Sequence, residues 1–142
     1  MSDFVAGPIA RRKKERTKYL VMWTWPILAD ASLGERMLKW AGGMEHPAEH
    51  GNIEQTWREE VEEETGLTIR PDAQIDYLTF VHHGEHTKHF MMAWRRDCDG
   101  TLRKVPMRDG RTLLEVPFFA ERNFLEKHLH GDHRVVLKHL PE

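Results

Sequence analysis

The run from Asn52 to Gly66 (NIEQTWREEVEEETG) constrains this chain more than any other stretch, because both ends of a helix are written into it. Asn52 is a favourable N-cap, Gln55 stands three residues on as a capping-box partner, and Gly66 is the residue type that exits a helix in the left-handed conformation. The helix is predicted over His50 to Thr65, with Ile53, Trp57 and Val61, one every four residues, as its buried stripe. One turn further the stripe reaches position 64 or 65, and position 64 is Glu.

That places a carboxylate at the edge of the core-facing stripe, with Glu60 and Glu63 on adjoining surface. A solvated helix face accounts for an acidic run such as Glu59, Glu60, Glu62, Glu63 and Glu64, but not for one that intrudes on the apolar stripe. Acids at the C-terminal end of a helix also oppose its dipole. The arrangement costs stability unless a cation stands against it, and clustered hard oxygens suit Mg²⁺ or Mn²⁺.

Around this helix the chain reads as strands. Tyr19 to Pro26 (YLVMWTWP) is a β-branched and aromatic run ended by Pro, expected to be buried on both faces. The basic run Arg11 to Lys14 with Arg16 reads as a solvated turn before it, and Ile27 to Lys39 as a surface loop. Trp40-Ala41-Gly42-Gly43 then ends in a glycine pair, where backbone can approach another group closely. Ile75 to Val81 and His89 to Arg95 form a hairpin with a longish polar loop. The turn formers of Asp97 to Gly110 precede a last apolar strand, Leu113 to Phe119. Ala120 to His130 is helical in spacing, and Asp132 caps a final helical stretch through Leu140.

With 142 residues, 39% apolar and 31% charged, the expectation is one domain over 1–142, of the α/β or α+β class, with a mixed sheet packed between helices. The net charge is −2, with Lys and Arg not massed on one long segment apart from Arg11 to Lys14 and Arg16, and the single cysteine, Cys98, rules out an intrachain disulfide and makes a Cys-based zinc site implausible. Met1 to Pro8 lacks the pattern of a secretion signal and no stretch approaches a membrane span, so the expected location is the cytoplasm.

Gly43 to Leu67 resembles the signature of the Nudix hydrolases: Gly, five residues, Glu, seven residues, Arg-Glu, an aliphatic, any residue, Glu-Glu, any residue, Gly, an aliphatic. Gly43 and Glu49 match the opening, and Glu60, Val61, Glu63, Glu64, Gly66 and Leu67 match the close. Two departures stand out. The middle carries two extra residues, assigned to His50-Gly51, and the Arg slot holds Glu59 while Arg58 sits one place early.

The resemblance implies hydrolysis of a nucleoside diphosphate linked to another moiety. Glu60, Glu63 and Glu64 would be ligands to Mg²⁺ or Mn²⁺ and part of the catalytic set, and Glu115, beside the last strand, a late general base whose bland alternative is a surface acid. Gly43, Trp40 and Arg58 are the candidate substrate contacts. It also allows a homodimer, and leaves nucleotide sugars, dinucleotide polyphosphates, oxidised nucleotides and capped RNA open as substrates. His82, His83, His86 and His89 are read as a polar loop, and Trp23, Trp25 and Trp94 mainly as core. The competing function is a Nudix-like module that binds a nucleotide or partner without turnover, made thinkable by Glu59. An isopentenyl-diphosphate isomerase of the same fold is disfavoured by the short chain and by the turn-rich setting of Cys98.

Overall fold

The computed structural model describes residues 3–26, 28–30, 32, 34–45, 52–106 and 112–141. Glu49, the His50-Gly51 insertion, Ile27 and the Asp109-Gly110 turn lie outside the described residues. In chain order the elements are β1 (Phe4–Gly7), β2 (Ile9–Lys13), β3 (Arg16–Pro26), β4 (Met37–Lys39), β5 (Ala41–Met44), α1 (Ile53–Thr65), β6 (Leu67–Ile69), β7 (Asp76–His83), β8 (His86–Trp94), β9 (Cys98–Gly100), β10 (Val105–Pro106), β11 (Thr112–Ala120) and α2 (Arg122–His128). A 3₁₀ turn covers Arg95–Asp97 and a longer 3₁₀ segment Gly131–His139.

The apolar run in β3 is buried on both faces as its composition predicts. Tyr19 and Val21 enter one hydrophobic cluster while Leu20 and Met22 enter the other. Each face therefore needs its own cover. Trp57 and Val61 of α1 cover the face of Leu20 and Met22, together with Val5. Leu125 of α2 and Val136 and Leu137 of the 3₁₀ segment cover the face of Tyr19 and Val21, together with Phe90. The sheet is mixed, because β8 runs parallel to both β1 and β2 and antiparallel to β7. Helices on both sides of a mixed sheet are the expected α+β architecture. Among the described residues no helix is long and apolar enough to cross a membrane.

Several local readings change. The basic run is mostly strand: Arg11 to Lys13 belong to β2, and only Lys14 and Glu15, both at positive φ, form the turn into β3. The segment read as loop ends in a strand, with Leu38 fully buried where β4 pairs with β3. Phe4–Gly7 and Ile9–Lys13 are strands with no prior signal, the first paired with β5 and β8 and the second with β3 and, at Ile9 and Ala10, with β8. The histidine-rich hairpin has a tight turn at Gly84-Glu85, so His82, His83, His86 and His89 are strand residues. Asp132 caps nothing: its carboxylate takes the His83 ring nitrogen and, at 3.3 Å, Lys88 Nζ.

Candidate active site

The acids are positioned by how α1 is held. Asn52 accepts a hydrogen bond from the Gln55 backbone N–H at 3.0 Å, and Gly66, at φ +87°, closes the helix by donating to Glu62 O at 3.0 Å. The capping box is only half made, since the Gln55 side chain turns to Glu59 Oε1 at 3.4 Å. Burial of Trp57 and Val61 sets the rotation of α1 about its axis, and the Trp57 indole N–H donates to Ala41 O at 3.3 Å. One turn beyond Val61 this rotation drives Glu64 into the protein, where it is 4% exposed.

Two consecutive glycines receive the carboxylates. The Gly42 N–H donates to Glu64 Oε1 at 2.7 Å. Glu60 packs on Gly43 so closely that an added Cβ would sit 2.7 Å from the Glu60 carboxyl carbon. Gly42 is hemmed in on its other side by β1, where a Cβ would lie 2.1 Å from Val5 O. Gly42→Ala is therefore expected to destabilise the fold by about 3 kcal/mol or more, because the obstacle is backbone that cannot swing aside. Urea unfolding would measure it, and a loss below about 1 kcal/mol would show that β1 and β5 can separate freely.

Glu115 completes the group. It pairs with Thr24 in the β3–β11 ladder and is 4% exposed, so it is a buried acid and not the strand-edge surface residue that its neighbours in sequence suggest. It is hydrogen-bonded to Glu64. Burial first, then the bond and negative charge of Glu115, push the Glu64 carboxyl well above its ordinary range; Lys39 offsets this in part and Glu60 adds to it. Glu63, next to Glu64 on α1, is exposed.

The other sequence candidates fall elsewhere. Trp40 is fully buried, its indole N–H on His133 O at 3.0 Å, and only contributes to the wall of a cleft. The Arg58 guanidinium donates to Arg70 O at 2.9 Å and lies 3.6 Å from Glu54, which ties it to the β6 flank of the helix and not to the acid cluster. Of the histidines, His83 meets Asp132, while His89 bridges Asp3 at 3.0 Å and the Tyr77 hydroxyl at 2.5 Å. They do not converge.

Glu59 stands one turn before Glu63, so Glu59→Arg would exchange a repulsion for an ion pair. The expected result is a lower metal concentration at half-maximal rate and an acidic limb of the pH profile moved to lower pH. Unchanged values for both would mean that the Glu59 side chain stays with Gln55, away from the cluster.

The donor set suits a hard divalent cation: Glu60, Glu63, Glu64 and Glu115 offer only oxygen, and the charge of the buried Glu64 is disfavoured without a counter-ion. Among the described residues no three Asp, Glu, His or Cys side chains are already gathered as a cation cage. Glu60, Glu63 and Glu64 are the residues that would hold the ion.

A mixed sheet between helices in this arrangement is the fold of solved Nudix hydrolases. The MutT Nudix hydrolase of Burkholderia pseudomallei superposes with a TM-score of 0.69 over 99% of this chain and 98% of that one, at 17% identity. A MutT structure from work on Aliivibrio salmonicida and Vibrio cholerae gives 0.67 over 96% and 94%, also at 17% identity. The Nudix domain of Shewanella oneidensis NrtR, in complex with ADP ribose, gives 0.63 over 96% and 83% at 13% identity. No family model and no curated protein matches the chain.

Proposed function

We propose that this chain is a Nudix hydrolase, a Mg²⁺- or Mn²⁺-dependent enzyme that cleaves the diphosphate bond of a nucleoside diphosphate linked to another moiety. The observation that carries the reading is the buried Glu64, held by the Gly42 N–H and pressed against Glu115, with Glu60 on the next glycine. A scaffold has no use for a buried acid pair of this kind, whereas a cation site and a proton acceptor do. The ADP ribose complex of the NrtR domain supports a nucleotide-type ligand.

When bound, the metal supplies counter-charge to the phosphate oxygens and polarises the scissile phosphoryl group. The chain's own residues do the rest. Gly42 fixes the orientation of the Glu64 carboxylate through its N–H. Glu60 and Glu63 would add carboxylate oxygens for the cation, whose charge in turn offsets the repulsion between these acids and the phosphates. Glu115 takes the proton from the attacking water as its oxygen bonds to phosphorus and the bridging oxygen leaves with the bonding electrons. Gly43, lacking a side chain, lets Glu60 and a phosphate approach the same stretch of backbone.

A screen of nucleotide sugars, dinucleotide polyphosphates, nucleoside triphosphates and capped RNA with Mg²⁺ or Mn²⁺, scored by phosphate released after phosphatase treatment, tests the reading. Turnover of at least one class is the expected result. Arg58, which donates to the Arg70 carbonyl and stands away from the acids, favours one other reading, a non-catalytic nucleotide-binding module. Metal-dependent binding without turnover across the whole screen would establish it.

A further inference from the structure

The basic run of the sequence has no part in the acid site. Its two strands, β2 and β3, join at Lys14-Glu15, and among the described residues they pair only with each other past Ala10 and Tyr19. β8 meets β2 at Ile9 and Ala10, and β11 reaches β3 no further than Tyr19. Residues 11–18 are therefore a two-stranded ribbon that runs on beyond the sheet. They hold six Lys or Arg and one Glu, in a chain with 21 basic residues and 23 acids. Positive charge is gathered on the ribbon, and the remainder of the chain is acidic.

The register sets cations against one another. Arg11 lies opposite Lys18, and Lys13 opposite Arg16. Opposite residues share a face, as do residues two apart on a strand, so these four side chains form two rows on one face, about 7 Å apart along the strand. Like charges directly opposite destabilise a hairpin. The two-residue turn, with Lys14 at φ 48° and Glu15 at φ 67°, fixes the register so that they cannot slip past one another. Among the described residues Arg16 alone of the four has an ion pair, with Glu121 at 3.1 Å, and Arg11 lies over the Phe119 ring at 4.3 Å. Lys13 and Lys18 have neither.

Cations repeated at a fixed spacing on one face suit a polymer that carries a phosphate at every unit. The ribbon has no aromatic side chain on which the bases of a single strand could stack, and none of the exposed large apolar residues, which would enter a membrane, belongs to it. A two-stranded ribbon does fit the major groove of duplex DNA. From Thr24, which pairs with Glu115, to Arg16 is eight residues of strand, about 25 Å. That is several times the Debye length of about 8 Å at physiological salt, so the acid cluster does not cancel the charge of the ribbon.

We propose that the β2–β3 ribbon binds the phosphate backbone of duplex DNA, at a place separate from the acid site and independent of the hydrolase reading. A fluorescein-labelled DNA duplex of about 20 base pairs, titrated with the protein in 50 mM salt and followed by anisotropy, should show micromolar binding. Raising the salt to 200 mM should weaken it about 100-fold, as four neutralised phosphates require. Lys13→Gln with Lys18→Gln removes two of the four cations. It should weaken binding in 50 mM salt at least about tenfold and reduce the salt effect to roughly tenfold, whereas Lys13→Arg with Lys18→Arg should bind as the wild type does. The Gln variant relieves both like-charge pairs and should melt no lower than the wild type, which separates lost binding from lost folding. Absence of duplex binding in 50 mM salt, wild-type affinity in the Gln variant, or lost binding in the Arg variant overturns the proposal. A single strand of the same length held as tightly as the duplex overturns it, as does Lys13-dependent binding of phosphatidylserine vesicles without binding of the duplex. On a small nucleotide found by the substrate screen the Gln variant should turn over at the wild-type rate, and a matching loss of rate would overturn the separation of the two sites.

Discussion

Glu64→Gln is expected to lower turnover by about 10³-fold or more while making the chelator-treated protein more stable, not less, at alkaline pH. Glutamine keeps the shape. Its amide oxygen still accepts the Gly42 N–H, now at 2.7 Å from Glu64 Oε1, and its NH₂ becomes a proper donor to Glu115. What disappears is the buried negative charge that draws the cation. The same charge opposes folding when no cation is present. A carboxyl whose folded pKa is raised holds its proton more tightly in the native state, so stability is intact below the ordinary value of 4.5 and declines as pH rises toward the folded value. Wild type in chelator should thus melt lower at pH 8 than at pH 5 from this group, and the variant should lack that part of the decline. Thermal melts of both proteins at the two pH values, beside rates on a substrate found by the screen, measure the two effects. A variant with near-wild-type turnover would leave the acid cluster as a structural feature only. An unaltered pH dependence of melting would mean that Glu64 finds its counter-charge within the chain.

Chelation is the second large effect. EDTA should abolish hydrolysis, and excess Mg²⁺ or Mn²⁺ should restore it, because Glu60 and Glu64 are gathered at the Gly42–Gly43 backbone and Glu115 stands against Glu64, a set of oxygens that suits a divalent cation. The native state alone binds the ion at this site, so metal at a hundred times its dissociation constant should stabilise the fold by about 2.7 kcal/mol. For a chain of this size that corresponds to roughly 5 to 10 °C in melting temperature. Glu64→Gln should lose most of this shift. Hydrolysis that persists in excess chelator would remove the metal from the proposed reaction.

Much of the helix and its acids was legible in sequence for a physical reason: α1 is a local object. Its cap, its four-residue apolar stripe and its left-handed exit at Gly66 involve neighbours within a turn or two, so the inward turn of Glu64 follows from the phase set by Trp57 and Val61. The aromatic run of β3 is similar, since composition alone demands cover on both faces. The strands β1 and β2 carry no such signal. Phe4–Gly7 is extended because β5 and β8 pair with it, across roughly forty and eighty residues of chain that no window spans, whereas Ile9–Lys13 is held mainly by a local hairpin with β3 and touches β8 only at Ile9 and Ala10.

The site divides in the same way. The sequence by itself determined that acids cluster at the end of one helix and that a glycine pair precedes it, because spacing on a helix converts directly into spacing on its surface. Only the tertiary structure decided which acids are buried and what they meet. Glu115 looks like a surface residue until the β3–β11 register turns it toward Glu64. Arg58 looks available until the residue after β6, Arg70, offers its carbonyl. Lys39, Lys88 and His133 come from three separate elements, and nothing in their local sequence marks them as neighbours. Their convergence depends on strand pairing and on the fold of the C-terminal 3₁₀ segment over the sheet. Contacts of that range are set by the burial of both sheet faces, a property of the whole chain and of no single stretch of it.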